Sequence, residues 1–176
     1  MAEELVPDPA RRQEIRDELE RLEESAMFSS QAQFEQAKHW RRVNYFLGIP
    51  ATALAAAAGG AELATATNHF VAGIMALLAA GLGAVLTTVN ASHHMNQATS
   101  AANAYLEIQT ASRQYRLIDL PSADVADARQ QLAELTSRRD EQNKTAEPPG
   151  PRAVKKARAN ITSGGQSYEV DNRRVI

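Results

Sequence analysis

Residues 70–89 of this chain read FVAGIMALLAAGLGAVLTTV, a stretch without a charged residue or a proline. A helix of about 20 residues is about 30 Å long, which equals the thickness of the hydrocarbon core of a bilayer. Its Phe, Val, Ile and Leu side chains favour insertion by roughly 3 to 5 kcal/mol. The stretch therefore predicts a transmembrane helix that inserts by itself.

A weaker apolar stretch precedes it, from Val43 to Ala61: VNYFLGIPATALAAAAGGA. It is rich in Ala and Gly, and Asn44 and Pro50 oppose its insertion. Glu62 is the only Asp, Glu, Lys or Arg between residues 43 and 90, a segregation of charge that a bilayer requires. We predict that this stretch inserts as the partner of the second, in a two-helix hairpin. The alternative is an Ala-rich helix pair in a soluble protein.

The flanks of the two spans predict their orientation. The connecting residues 62–69 contain no Lys or Arg, whereas Lys and Arg accumulate on the cytoplasmic side of a membrane. We therefore place both termini in the cytoplasm and the connection outside, in a bacterial inner membrane. The flank before the first span holds the predicted interfacial anchors: Lys38, Trp40, Arg41, Arg42 and Tyr45.

Small residues recur every four positions along both apolar stretches. Small side chains allow helix backbones to approach closely, which drives association in lipid. Two interpretations fit: the stripes hold the two helices of one hairpin together, or they also join hairpins in a homo-oligomer, where they are candidates for a pore. The stripe residues are Gly48, Thr52, Ala56 and Gly60 in the first stretch, and Ala72, Ala76, Ala80, Ala84 and Thr88 in the second.

Amphipathic patterns flank the apolar region. A first helix has the apolar line Ile15, Leu19, Leu22 and Ala26. A second helix is predicted at residues 91–118, with the apolar line Ala101, Tyr105, Ile108 and Ala111. A third, capped by Ser122 or Asp124, runs to about Asn143 with Val125, Leu132 and Leu135 inward. The fold class is therefore an all-α membrane protein with long cytoplasmic helices in a bundle or coiled coil. The predicted regions are a cytoplasmic amphipathic helix (1–42), two transmembrane helices (43–64 and 70–90), a short loop (65–69), cytoplasmic helices (91–145), and a proline break with a basic tail (146–176).

The basic tail allows two interpretations. Arg152, Lys155, Lys156 and Arg158 begin a short helix after the Pro-rich segment 147–151. This helix either lies on anionic headgroups, where each charge is worth about 1 kcal/mol, or it caps the helical bundle or is simply solvated.

Several classes of function are disfavoured by the composition. The net charge is −2, which argues against a nucleic-acid partner, and the absence of cysteine excludes disulfides and thiol catalysis. The acidic N-terminal residues do not resemble a signal peptide. His93 and His94 are adjacent, so on a helix they point about 100° apart and do not share a metal. We expect no catalytic site, no metal and no cofactor, and hence no enzyme.

A set of segments in a distinctive order resembles a known family. These are EESAMFSSQAQFEQAKHWRR (23–42), GIPATALAAAA (48–58), NAYLEIQTASRQYRLIDLP (103–121), LAELTSRRDEQN (132–143) and SYEVD (167–171). In this layout the chain is similar to the SLATT family, the SMODS- and SLOG-associating two-transmembrane effector domains of bacteria. The similarity covers about residues 12–172.

The resemblance implies a function that the residues alone do not give. SLATT domains are thought to disrupt the inner membrane in conflict and antiviral defence systems, beside synthases or sensors of nucleotide second messengers. The chain has the appearance of a stand-alone form, so such a synthase or sensor is an expected neighbour. The resemblance carries over no catalytic residue. The expected function is an oligomeric membrane effector that forms or gates a pore. The alternative is a membrane-anchored helical scaffold that recruits a cytoplasmic partner without a pore.

Overall fold

A computed structural model describes residues 8–63 and 69–168 of the chain. All of its regular elements in these two ranges are helices, as predicted, and two of them are long and apolar enough to cross a membrane. The predicted loop at 65–69 lies outside the described residues except for His69. The elements are α1 (Asp8–Leu63), α2 (His69–Val89), α3 (Ala91–Gln114), a π-helical segment (Tyr115–Asp119), α4 (Val125–Thr145) and α5 (Pro151–Thr162).

Helix α1 is one continuous helix of 56 residues, so no backbone break separates the predicted amphipathic helix from the first predicted span. Pro50 lies inside it and has no N–H for the carbonyl of Phe46. The next turn contains Thr52, whose hydroxyl donates to the carbonyls of Gly48 and Ile49, at 2.9 Å each. The Thr52 hydroxyl near the proline is therefore bonded within the helix itself.

The chain divides into two compact units. The polar unit comprises Met1–Glu35 and Ala98–Ile176, and the apolar unit comprises Gln36–Gln97. Each unit contains part of α1 and part of α3.

The core of the polar unit forms where apolar lines of three helices meet. The predicted line of α1 is buried throughout its length, and Leu19 is fully buried. A predicted line of α3 contributes Ile108, and α4 contributes the predicted Leu132 and Leu135. The members of this cluster are Ile15, Leu19, Leu22, Ala26, Ile108, Leu120, Ala128, Leu132 and Leu135.

Polar side chains add specific contacts inside the polar unit. The buried Ser30 hydroxyl of α1 donates to the carbonyl of Ala102 in α3, at 3.0 Å. The buried Gln33 side chain donates to the carbonyl of Glu147 at 2.7 Å, which fixes the Pro-rich connection against α1. Such side-chain bonds to main-chain carbonyls fix the lengthwise positions of these segments, because a shift of either one would break them.

Helix α3 is shorter than the predicted 91–118. Its α-helical part ends at Gln114, and a π-helical segment follows in which the N–H of Leu120 donates to the carbonyl of Tyr115, at 2.9 Å. The extra residue in this wide turn carries Leu120 into the core, while Leu117 and Ile118 remain exposed. The apolar pattern of LIDL did not distinguish the wide turn from an ordinary one.

Helix α4 begins after Asp124, which has the extended backbone of a helix cap. Its side chain makes no capping hydrogen bond, although the sequence predicted one from Ser122 or Asp124. The Ser122 hydroxyl donates instead to the carbonyl of Asp119, within the preceding turn. The backbone N–H of Ala128 donates to the carbonyl of Asp124, so the helix starts without a side-chain cap.

Helix α5 begins at Pro151, the first helical position, where proline removes only an N–H that has no helical acceptor. It ends at Thr162 in a Schellman motif. Gly164 has a φ of 84° and donates to the carbonyl of Ile161, and Gly165 donates to the carbonyl of Asn160. Both ends of this short helix are thus determined by its sequence.

Candidate functional site in the apolar helices

The contact between α1 and α2 is made by buried alanines. In the apolar unit, Ala51 and Ala58 of α1 are buried, as are Ala72 and Ala79 of α2. Each pair is seven residues apart, so its members differ in direction by only about 20° and lie on one face. The two apolar helices therefore meet largely through methyl groups.

A groove of about 570 Å³ lies beside this contact. Its lining contains no polar side chain and no side chain larger than a methyl group. The lining residues are Ala55, Ala58, Gly59, Ala72, Gly73, Ala76, Ala79 and Ala80. Groups held there would be bound only by close van der Waals contact, which is how helices recognise one another in lipid.

Only part of the two predicted stripes lies at this contact. Ala72 is buried and Gly48 is half-buried; a Cβ on Gly48 would lie 3.7 Å from Cδ2 of Leu86. The remaining stripe residues are exposed, although Ala76 and Ala80 line the groove. These exposed residues are Thr52, Ala56, Gly60, Ala76, Ala80, Ala84 and Thr88.

The polar members of the stripes are bonded within their own helices. The Thr88 hydroxyl donates to the carbonyl of Ala84 at 2.8 Å, and Thr87 donates to Gly83 and Ala84 at 3.1 and 2.9 Å. A polar group without a partner in hydrocarbon costs several kcal/mol. With Thr52 bonded in the same way, these hydroxyls are compatible with a bilayer.

Most glycines of the two apolar helices have open space, among the described residues, where a side chain would begin. A Cβ would meet no atom within 4 Å at five positions: Gly59, Gly60, Gly73, Gly81 and Gly83. Glycine lowers helix stability by about 1 kcal/mol relative to alanine. The folding of one copy therefore gives no steric reason for these glycines.

The large apolar side chains of both helices point away from the chain. Phe46 is 83% exposed, Phe70 73% and Leu77 74%. In the most apolar 18-residue segment of each helix, the buried share is only 6% for the first helix and 11% for the second. A helix from a soluble core would be mostly buried, so these surfaces are those of helices that require an apolar surrounding.

The predicted interfacial anchors divide into two groups. Lys38, Arg41, Arg42 and Tyr45 are exposed. Trp40 instead stacks on His94 of α3, with ring centroids 4.7 Å apart and an interplanar angle of 19°. Its indole N–H is buried and has no acceptor within the described residues. Trp40 therefore packs within the protein rather than presenting its N–H to the surroundings.

Other polar contacts lie near this stack. The Ser92 hydroxyl bonds to Oδ1 of Asn44 at 3.3 Å, joining the start of α3 to α1. The rings of His93 and His94 meet edge to face at 6.1 Å. Within residues 8–63 and 69–168, no three His, Asp or Glu side chains form a group that could hold a metal ion. The side chain of Glu62 lies outside the described residues.

The end of α2 has a feature that the sequence analysis missed. Asn90 separates α2 from α3 and has a φ of 49°, in the left-handed region. Asn tolerates this conformation better than other non-glycine residues. An Asn at the end of an apolar run is a usable signal for such a break.

The seven-residue spacing of Ala51 and Ala58, and of Ala72 and Ala79, is a second sequence signal of the buried face. Residues four apart differ in direction by about 40°, so a stripe of four-residue steps winds around the helix. Spacings of seven, divided into steps of three and four, stay on one face. They are the better guide to contacts between long helices.

Comparison of the chain with protein-family models, curated proteins and solved structures finds no match. Inferences about its function therefore depend on the residues, on their arrangement and on the sequence resemblance.

Proposed function

We propose that this chain is a membrane effector that oligomerises to form or gate a lesion in the bacterial inner membrane. In this proposal α2 and the apolar part of α1 form a transmembrane hairpin. Both termini lie in the cytoplasm, where the remaining helices form a bundle. The resemblance to the SLATT family supports a role in a conflict or antiviral system, with a nucleotide-second-messenger synthase or sensor as a neighbouring partner.

The observation that carries the proposal is the unused small-residue surface of the apolar helices. One copy buries only a few alanines, leaving an Ala- and Gly-lined groove and five glycines with open space where a Cβ would lie. Lipid chains do not require glycine, whereas a closely approaching helix does. A second copy of the hairpin supplies such a helix, so the surface supports a homo-oligomer.

The composition of the first span supports a lesion rather than an inert anchor. Strong hydrophobes are few in the apolar part of α1, and Ala53, Ala56 and Ala57 are exposed. A face of methyl groups gains little from lipid and is tolerated beside water. In an oligomer, this face can line an aqueous path while α2 faces lipid.

The proposal is tested by membrane depolarisation in bacteria that express the chain, read with a potential-sensitive dye. We expect depolarisation from the wild type and its loss in Ala76→Leu/Ala80→Leu, which fills the groove. The matched control is Val71→Phe/Val85→Phe, which enlarges two exposed side chains on the side of α2 opposite the groove. Membrane levels of all three proteins are measured in parallel.

Two outcomes would contradict the proposal. If both double variants depolarise cells as the wild type does, the groove has no role in assembly. If inserted wild-type protein does not depolarise cells even with its neighbouring gene products, the scaffold alternative is favoured. A scaffold also predicts that an unrelated Leu-rich hairpin preserves function.

A further inference from the structure

The surface of α5 is divided by charge. One side of α5 faces the rest of the polar unit and contains the buried Ala153 and Ala157. On the same side, the amide of Asn160 donates to Oε1 of Gln31 in α1 at 2.9 Å. Gln33 holds the preceding connection through the carbonyl of Glu147. The orientation of α5 about its own axis is therefore determined by contacts with the polar unit.

The charged residues of α5 are all basic and lie on its opposite, exposed side. We call it the basic face; its residues are Arg152, Lys155, Lys156 and Arg158, all exposed. No Asp or Glu occurs between Pro151 and Thr162. Within the described part of the chain, the four side chains form no ion pair and no hydrogen bond.

This separation of charge differs from the other helices of the polar unit. In α4, acidic and basic residues alternate, and Arg139 pairs with the neighbouring Asp140 at 2.7 Å. In α1, Arg21 pairs with Glu18. A helix with four unpaired cations and no anion repels itself unless an external anion neutralises it.

We propose that the basic face of α5 binds anionic phospholipid headgroups of the membrane in which the chain is embedded. This inference rests on the proposed membrane insertion but not on the proposed lesion. The apolar side of α5 is occupied by the protein, so the helix does not insert apolar side chains into the bilayer. Its attachment is electrostatic, which predicts dependence on headgroup charge and on salt.

The absence of cysteine from the chain allows a single-label experiment. Ala159 is exposed and lies among the basic residues, so Ala159→Cys places a fluorophore on the basic face. The full-length protein is reconstituted into vesicles containing lipids with a quencher on the headgroup. We expect quenching with phosphatidylglycerol at 0.1 M salt, and its loss with phosphatidylcholine alone. At 1 M salt the Debye length falls from about 10 to about 3 Å, and quenching is lost.

Charge variants separate electrostatic binding from proximity. Each cation contributes about fivefold to surface binding. Changing all four to Gln is therefore expected to lower the ratio of bound to free α5 by about two to three orders of magnitude. Lys155→Arg/Lys156→Arg keeps the charge and is expected to keep the quenching. A label at Ser137→Cys, on the exposed side of α4, serves as the positional control.

Three outcomes would overturn the inference. One is equal quenching in neutral and anionic vesicles, and another is unchanged quenching in the four-Gln variant. The third is loss of quenching when inorganic phosphate is added at constant ionic strength, which would identify a site for soluble phosphate instead. Protein removed from the vesicles by an alkaline wash would overturn the proposed insertion as well. Retained protein with charge-independent quenching would overturn this inference alone.

Discussion

Asn90 occupies a left-handed backbone position between α2 and α3, with a φ of 49°. The carbonyl of Asn90 accepts from the backbone N–H groups of His93 and His94. The backbone N–H of Asn90 donates to the carbonyl of Leu86. One residue thus ends an apolar helix and begins a polar one. The sequence placed the boundary at this position but did not indicate its conformation.

Replacing Asn90 tests this conformation directly. We expect Asn90→Ala to lower the free energy of unfolding by about 1 kcal/mol, because Cβ disfavours positive φ without the local bonding of Asn. Asn90→Gly should be neutral or slightly stabilising. The measurement is chemical unfolding of the purified protein in detergent, and equal stability of the two variants would contradict the assignment.

Tyr105 gives the polar unit a dependence on alkaline pH. Its ring is buried, and its hydroxyl donates to Oδ1 of Asn143 at 2.7 Å. Burial raises the pKa of Tyr105 above the ordinary value of 10.0, while Arg139 opposes this rise. The pKa of Tyr115 is likewise raised, by burial and by the negative charges of Asp119 and Asp127, while Arg12 opposes this rise.

The sign of the effect follows from these raised pKa values. The folded state holds the tyrosine proton more tightly than the unfolded state, so stability is complete below pH 10 and falls as the pH rises through the folded pKa. We expect Tyr105→Phe to lower the free energy of unfolding by about 1 kcal/mol at neutral pH, because the hydrogen bond to Asn143 is lost. Above about pH 10, the free energy of unfolding should fall less in the variant than in the wild type. Unfolding measured from pH 8 to 11.5 tests this; identical pH slopes in the two proteins would refute it.

At the scale of the elements, a half-buried ion pair joins α1 to the π-helical segment within the polar unit. Nη2 of Arg116 lies 2.8 Å from Oε2 of Glu23, and the two side chains are 18% and 16% exposed. The pair between Arg138 and Glu107 provides a control, since its atoms are 3.9 Å apart and its side chains are 44% and 73% exposed.

We expect Arg116→Met to lower the free energy of unfolding by about 1.5 to 3 kcal/mol, because it leaves Glu23 charged and partly desolvated. Arg138→Met should cost about 0.5 kcal/mol or less, because water screens that pair. Chemical unfolding compares the two variants. Similar losses in both would show that burial does not distinguish these ion pairs.

Some of these elements could be predicted from sequence patterns, and others could not. Helices with strong apolar periodicity were predictable, down to the buried Ile15, Leu19, Leu22 and Ala26 of α1. The wide turn at Tyr115–Asp119 was not, because it changes hydrogen bonding by one residue without a composition of its own. The sequence did not identify which face of the apolar helices is buried within one chain, because Ala and Gly occur on several faces and small size alone does not select one.

For the basic tail, the sequence left open whether the helix packs on the bundle or lies on headgroups. The contacts of α5 show one side packed on the rest of the polar unit and leave the cations on the other side exposed. Ala153, Ala157 and Asn160 face the polar unit, so the helix covers part of its surface. The four cations remain available on the other side. Sequence periodicity predicted an amphipathic helix, but only tertiary contacts identify which side is occupied by protein.

For the whole molecule, the account predicts a protein whose apolar helices are completed by other copies in a bilayer. A single copy exposes large apolar side chains along both helices and leaves an Ala- and Gly-lined groove. In the proposed function, lipid and neighbouring hairpins cover these surfaces. Assembly in the membrane is thus the central claim, and ion passage is its functional consequence.

The most direct test of this claim is ion and dye leakage from liposomes that contain purified, inserted and oligomeric protein. The account predicts leakage from the wild type, alone or with its neighbouring gene products, and intact liposomes with Ala76→Leu/Ala80→Leu. Liposomes that carry a demonstrated oligomer and leak neither ions nor dye under any of these conditions would contradict it.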